Sequence, residues 1–309
     1  MKYLKNKTQL KISNTLFIVL TLFIVSIVSG CGGEIESSGG ISESSHKVGF
    51  SGLDIWVGQG STKNAFVGDE FKFDIHLHNI AAYDVTNGVV SIQRLDRGFF
   101  SLNEPSLRFP VDANSLQGIS VTNSVGDQTE VRFIGLINRI KEGDKSYPAE
   151  YEVVVDYDIT NQLLATVCLP GDGYNVYDGG CEPSQSPITF HGQGSPVGVR
   201  SVDIAPSGST TPTMRFMFEV QNSGNGVAGD IRLQKASIGG SPLSCIFVET
   251  NTNRFTFDEE QSAEVLCEGE IISQSSYETT LNLEYFYHYT QTESGQMTVK
   301  PRIKNIGNS

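Results

Sequence analysis

The sequence predicts an all-β chain, with two β-sandwich modules in tandem behind a signal segment and a flexible tether. Three observations predict it. Beyond residue 30, apolar and polar residues alternate with period two in short runs bounded by Gly, Pro, Asn, Asp and Ser, with no sustained stripe at helical spacing. The best-marked run recurs in the second half of the chain. Four cysteines follow the leader and its terminal Cys31, an even set suited to disulfides.

Residues 1–30 read as a targeting segment. Lys2, Lys5, Lys7 and Lys11 make a positive start, and no acidic residue precedes Glu34. Residues 16–28 are apolar except for Thr21 and Ser26, short of the ~20 residues that a spanning helix needs. The run closes on Val28-Ser29-Gly30-Cys31, which resembles the lipobox of prokaryotic lipoproteins. That resemblance implies cleavage before Cys31, lipidation of its thiol, and anchoring through two acyl chains, enough for stable attachment. An uncleaved N-terminal anchor is the alternative. Either way the rest of the chain is expected outside the cytoplasm, on the outer face of the cytoplasmic membrane or on the outer membrane. Residues 31–48, rich in Gly, Ser and Glu, bury little apolar surface and are expected to be a flexible tether.

The 309-residue chain carries a formal net charge of −13, and losing the lysines of the leader makes it more acidic still. Phosphate backbones repel such a surface, which argues against a nucleic-acid partner. With Cys31 assigned to lipid, Cys168, Cys181, Cys245 and Cys267 remain. In an exported chain they read as two disulfides, and proximity in sequence favours Cys168 with Cys181 and Cys245 with Cys267. A four-Cys zinc site is the rival, but neither pair has the short CxxC spacing of a zinc knuckle.

The first module is expected over residues 49–192. Its clearest strand is Phe71-Lys72-Phe73-Asp74-Ile75-His76-Leu77-His78-Asn79. Phe71, Phe73, Ile75 and Leu77 would face a core, and Lys72, Asp74, His76 and His78 would face water. The turn Val67-Gly68-Asp69-Glu70 precedes it. Similar strands are expected at 88–94, 129–137, 151–159 and 163–169, with Lys141-Glu142-Gly143-Asp144 as the turn before 151–159. The second module is expected over residues 197–303. There Met214-Arg215-Phe216-Met217-Phe218-Glu219-Val220-Gln221-Asn222 aligns with 71–79 without a gap. Both runs end on Asn and lead into a small polar turn. Residues 153–159 match 281–287 in the same order, which suggests a duplicated module. Gly192-Gln193-Gly194-Ser195-Pro196 reads as a short linker. About seven short strands per module is the pattern of an immunoglobulin-like or fibronectin-III-like sandwich.

The run Val67-Gly68-Asp69-Glu70-Phe71, the strand to Asn79, a polar turn and Val89-Val90-Ser91-Ile92 resembles the cell-adhesion-related domain of bacteria (CARDB) and its archaeal surface-protein relatives. Residues 216–233, with Asn222-Ser223-Gly224-Asn225-Gly226, look similar, as do 281–289 and 297–299. Ile80-Ala81-Ala82-Tyr83 departs from the Gly-rich turn that the family has after the first Asn. The resemblance implies surface display and a non-catalytic role in binding, adhesion or scaffolding, toward a surface protein or a glycan. A structural or accessory subunit of a surface assembly (pilus, S-layer or secretion system) is the alternative. A hydrolase with a site between the modules is a third reading.

Residues that carry chemistry are sparse. His76 and His78 share one outward face and offer two metal ligands, but no third is indicated nearby. Asp172, Asn175 and Asp178 lie between Cys168 and Cys181 among Gly171, Gly173, Gly179 and Gly180. Oxygen ligands on a Gly-rich loop suggest Ca²⁺, although the spacing is not that of an EF-hand, and turn chemistry explains the same residues. Tyr174, Val176 and Tyr177 on that loop are expected contact residues, because rigid aromatics lose little entropy on binding. No G-x-S-x-G elbow occurs, so catalysis by that route is not expected. No cofactor other than that calcium is expected.

Overall fold

The computed structural model describes residues 47–109, 115–170, 181–182, 187–207, 213–257, 261–270 and 276–302. The alternating runs become strands. The first half gives β1 (Leu53–Val57), β2 (Asn64–Phe66), β3 (Glu70–Asn79), β4 (Val85–Gln93) and β5 (Phe100–Leu102). It continues with β6 (Ser106–Arg108), β7 (Ser115–Leu116), β8 (Gln128–Ile137), β9 (Tyr147–Leu169) and β10 (Ile188–Thr189). The second half gives β11 (Val197–Ser207), β12 (Thr213–Asn222), β13 (Val227–Ile238) and β14 (Ser241–Pro242). It ends with β15 (Ser244–Phe247), β16 (Arg254–Phe255), β17 (Ser262–Glu270) and β18 (Tyr277–Lys300).

Among the described residues three sheets result. A four-stranded sheet runs β1-β3-β8-β5, a five-stranded sheet β10-β11-β12-β17-β15, and a nine-stranded sheet has the main order β14-β13-β18-β9-β4-β6. The order is a pseudo-symmetric duplication. β1-β3-β8-β5 has its counterpart in β11-β12-β17-β15, and the pair β4-β9 has its counterpart in β13-β18. The agreement reaches single side chains. Asn79 and Asn222 end matching strands, and both are buried. Each donates from Nδ2 to the carbonyl four residues on, Tyr83 O at 2.9 Å and Gly226 O at 2.9 Å. Each accepts at Oδ1 from the amide two residues on, Ala81 at 3.0 Å and Gly224 at 3.2 Å. Such Asx turns are how a buried Asn closes a strand. Eight residues beyond each Asn, at the bulges of β4 and β13, Asn87 and Asp230 take positive φ of 54° and 50°. Asn and Asp are the side chains that tolerate that conformation best.

What joins the copies is the antiparallel pairing of β9 with β18 from Tyr147–Val299 to Leu169–Tyr277. Every second residue of β9, from Ala149 to Leu169, is buried, so one face of the strand is core along almost its whole length. Residues 151–159 and 163–169, expected as separate strands, are therefore one. The inward polar residue Asn161 is what made them look separate. At one end of this sheet Tyr151 meets Phe73 of the four-stranded sheet at 4.2 Å. Farther along, Tyr285 donates to Val197 O of the five-stranded sheet at 3.1 Å. Each long strand thus serves both sandwiches. The end of β18 also pairs in parallel with β2, so it completes the first copy from the second. The described residues form one compact unit.

Residues 192–196, expected as a short linker, are buried. Gly194 N donates to Gly49 O at 2.8 Å. Gly192 has φ +83°, and a Cβ there would lie 2.2 Å from Gly49 O, so only glycine fits. Beside this segment, Asn161 Nδ2 has two protons to give and lies within hydrogen-bond reach of Ser195 Oγ (2.6 Å), Val197 O (2.7 Å) and Tyr285 Oη (2.7 Å). Tyr157 donates to Gln291 Oε1 at 2.6 Å. Burial drives the phenols of Tyr157 and Tyr285 well above their ordinary value. The network is saturated, as a buried polar set must be to avoid a desolvation cost.

Candidate functional site

The outward side chains of β1, β3 and β8 form cross-strand rows, because antiparallel register sets residues directly opposite one another. One row is Trp56, His76 and Glu130; the next is Asp54, His78 and Gln128. The indole of Trp56 stacks on the His76 imidazole with centroids 5.3 Å apart and planes at 8°. His76 Nε2 is 3.7 Å from Glu130 Oε2. Arg132 Nη2 donates to Glu130 Oε1 at 2.9 Å, and Arg132 Nε donates to Asp74 Oδ1 at 2.6 Å. Lys72 Nζ lies 3.7 Å from Asp74 Oδ2. Imidazole, carboxylates and guanidinium are thus tied into one ladder.

Asp74 corrects an expectation. It is buried rather than facing water, because residues 58–62 fold across it. Gly58 N donates to Asp74 O at 2.7 Å, and Asp74 N donates to Ser61 Oγ at 2.9 Å. A Cβ at Gly58 would stand 2.5 Å from His76 Nε2, so glycine allows this close approach. Burial pushes the Asp74 carboxyl up, but the Arg132 guanidinium and the Lys72 ammonium outweigh it and hold the group below its ordinary value. Asp74 in turn raises Arg132.

His76 and His78 do share the outward face, as the alternation predicts. His78 Nε2 is 2.8 Å from Val125 O, and His76 Nε2 faces Glu130. Among the described residues no group of three or more His, Cys, Asp or Glu is arranged to hold a metal ion. His288 also sits on an outward face, with Nδ1 2.9 Å from Asp158 Oδ1 and Nε2 3.7 Å from Asp156 Oδ1. Cys168 is joined to Cys181, and Cys245 to Cys267. Two disulfides point to an oxidising, extracytoplasmic setting. Cys31 and the loop residues Asp172, Tyr174, Asn175, Val176, Tyr177 and Asp178 lie outside the described residues. The sequence reading passed over Trp56, Glu130 and Arg132. The signal was present in Leu53, Ile55 and Val57 alternating with Asp54 and Trp56.

No family model matches the chain, and no curated protein matches it. Among solved structures it is similar to the E. coli chaperone DraB, 13% identical over 74% of this chain and 86% of that one, at a TM-score of 0.18. It is also similar to the CupB6 tip adhesin from Pseudomonas aeruginosa, 8% identical over 83% of this chain and 100% of that one, again at 0.18. Superpositions that loose carry no argument about the outer face. The class that the fold itself defines is an all-β, disulfide-bonded protein of the β-sandwich kind.

Proposed function

We propose that this chain is an extracytoplasmic surface protein, lipid-anchored through Cys31, that binds a partner at the cell envelope rather than catalysing a reaction. The observation that carries the reading is the fusion of two sandwiches through β9 and β18 into one body, with a pre-ordered polar and aromatic face on its outside. A body of this kind holds a contact surface in fixed geometry, which lowers the entropic cost of binding. The assembly-subunit reading has less support. Strand addition needs a long open edge, and the edges of the three sheets among the described residues are short strands such as β5, β6, β10 and β14. The hydrolase reading needs a cleft between the copies, and that junction holds the buried segment 192–199.

Two measurements test the proposal. Metabolic labelling with an alkyne fatty acid is expected to mark the wild type and not Cys31→Ser, which should leave the membrane fraction. Immobilised full chain in detergent is expected to retain envelope material, and a Trp56→Ala, His76→Ala variant to retain less. Retention no greater than that of an unrelated lipoprotein would end the binding reading.

A further inference from the structure

The outer face of the four-stranded sheet sets an exposed indole beside a charge-compensated array of hydrogen-bonding groups. We propose that this face binds a neutral oligosaccharide, with one sugar ring lying on Trp56 and a following ring crossing the outward row so that its hydroxyls meet Glu130 and Arg132. The proposal deepens the binding reading above and rests on it.

Four observations carry it. Trp56 is 38% exposed although it is the chain's one tryptophan. Its ring is held parallel to His76, and β1 is the edge of its sheet. Stacking covers one face of the indole, so the solvent-facing side is the one turned away from β3. The C–H face of a sugar ring packs on such a surface through dispersion and weak C–H contacts. Second, the charges beside it are matched. Arg132 bridges Glu130 and Asp74, and Lys72 also approaches Asp74. Hydroxyl groups both donate and accept, and here they find acceptors and donors at fixed positions. A sulfated or phosphorylated chain would instead call for an excess of cations. Third, the adjoining row Asp54, His78 and Gln128 is polar throughout, which gives peptide side chains no apolar pocket to fill. Fourth, the fold does not require the aromatic. The matching row of the second copy is Ser201, Glu219 and Glu264.

As the only tryptophan, Trp56 reports occupancy through its own emission. Full chain in detergent is titrated with neutral gluco-, manno-, galacto- and xylo-oligosaccharides. At least one series is expected to give a saturable emission change with a dissociation constant of about 1 mM or tighter. Calorimetry with that series is expected to show a loss of about tenfold or more for Trp56→Ala, partial retention for Trp56→Tyr, and no change for Glu219→Ala in the second copy. Unchanged melting of Trp56→Ala excludes loss of fold as the cause. No saturable response to any series up to about 10 mM, or equal affinity for Trp56→Ala, overturns the proposal. If envelope capture is abolished by protease treatment of the envelope and lost in Trp56→Ala while no oligosaccharide binds, the glycan assignment falls and the binding reading stands. If nothing is captured and nothing binds, both fall.

Discussion

Where the first copy sets Trp56, His76 and Glu130 side by side, the second sets Ser201, Glu219 and Glu264 on strands of matching topology. Ser201 Oγ donates to Glu219 Oε2 at 3.1 Å, and Glu219 faces Glu264 directly, a like-charge pair. The insides differ far less. Phe73 corresponds to Phe216 and Ile75 to Phe218, and the strand-ending Asn79 and Asn222 make the same two bonds. The comparison separates what the fold needs from what it leaves open. An inward alternation, a buried Asn and a left-handed residue at the bulge specify each copy. The outward rows are not constrained in that way, so chemistry found on only one of them points to use.

The comparison breaks first if the copies are independent bodies. Shared strands and a buried connection predict one cooperative transition in calorimetry, and two resolved transitions would refute that. The same architecture makes Gly192→Val the largest single effect. Its side chain would meet Gly49 O in a backbone conformation that β-branched residues avoid. A loss on the order of 3 kcal/mol or more is expected in urea unfolding, from the one shared transition.

The disulfides sharpen the contrast next. Cys267 stands opposite Phe216 as Phe133 stands opposite Phe73, so the second copy has a cross-link where the first has an aromatic ring. Replacing Cys245 and Cys267 by alanine should cost about 3 kcal/mol by the loop-entropy account. Replacing Cys168 and Cys181, which are 13 residues apart rather than 22, should cost a few tenths of a kcal/mol less. Equal stability of the oxidised and reduced chain would show that neither bond constrains the unfolded state. The asparagines come third. Asn79→Ala and Asn222→Ala each orphan backbone groups and should each cost about 1–3 kcal/mol, with similar values in the two copies. A neutral result for one of them would remove that turn from the shared specification.

Much of this was legible in the sequence, for a physical reason. Period-two alternation marks any strand with one wet face, and it gave β3, β8 and β12 within a residue or two. The Asn endings and the disulfide pairs followed from local chemistry. The long-range arrangement was not legible. Asn161 sits on the inward side of β9, and a polar inward residue reads as a break unless its partners Ser195, Val197 and Tyr285 are known to be there. Gly192 and Gly194 read as linker glycines because sequence does not show the backbone of Gly49 pressed against them. Trp56 lies on a short edge strand whose bulk suggests core, and only the register with His76 reveals it on the outside. Likewise Asp74 alternates as a solvent residue until residues 58–62 cover it.

Asp74 gives the smallest and most selective test of the difference between the copies. In the second copy the matching position is Met217, opposite Leu266, where the first has Asp74 opposite Arg132. The Asp74 carboxyl is held below its ordinary value in the folded protein, its burial outweighed by Arg132 and Lys72. The folded state therefore favours the ionised form more than the unfolded chain does. Its contribution is fully present above the unfolded carboxyl value of about 3.9 and is lost as pH falls from there through the folded value. Asp74→Asn should thus be less stable than the wild type at neutral pH, and the gap should narrow below about pH 4. Carboxylates outside this ladder titrate alike in both proteins and cancel in that difference. Urea unfolding of the two proteins at neutral and acidic pH measures it. A gap that stays constant down to about pH 3 would mean that the ladder beneath Trp56 is ordered by the covering loop and not by its charges.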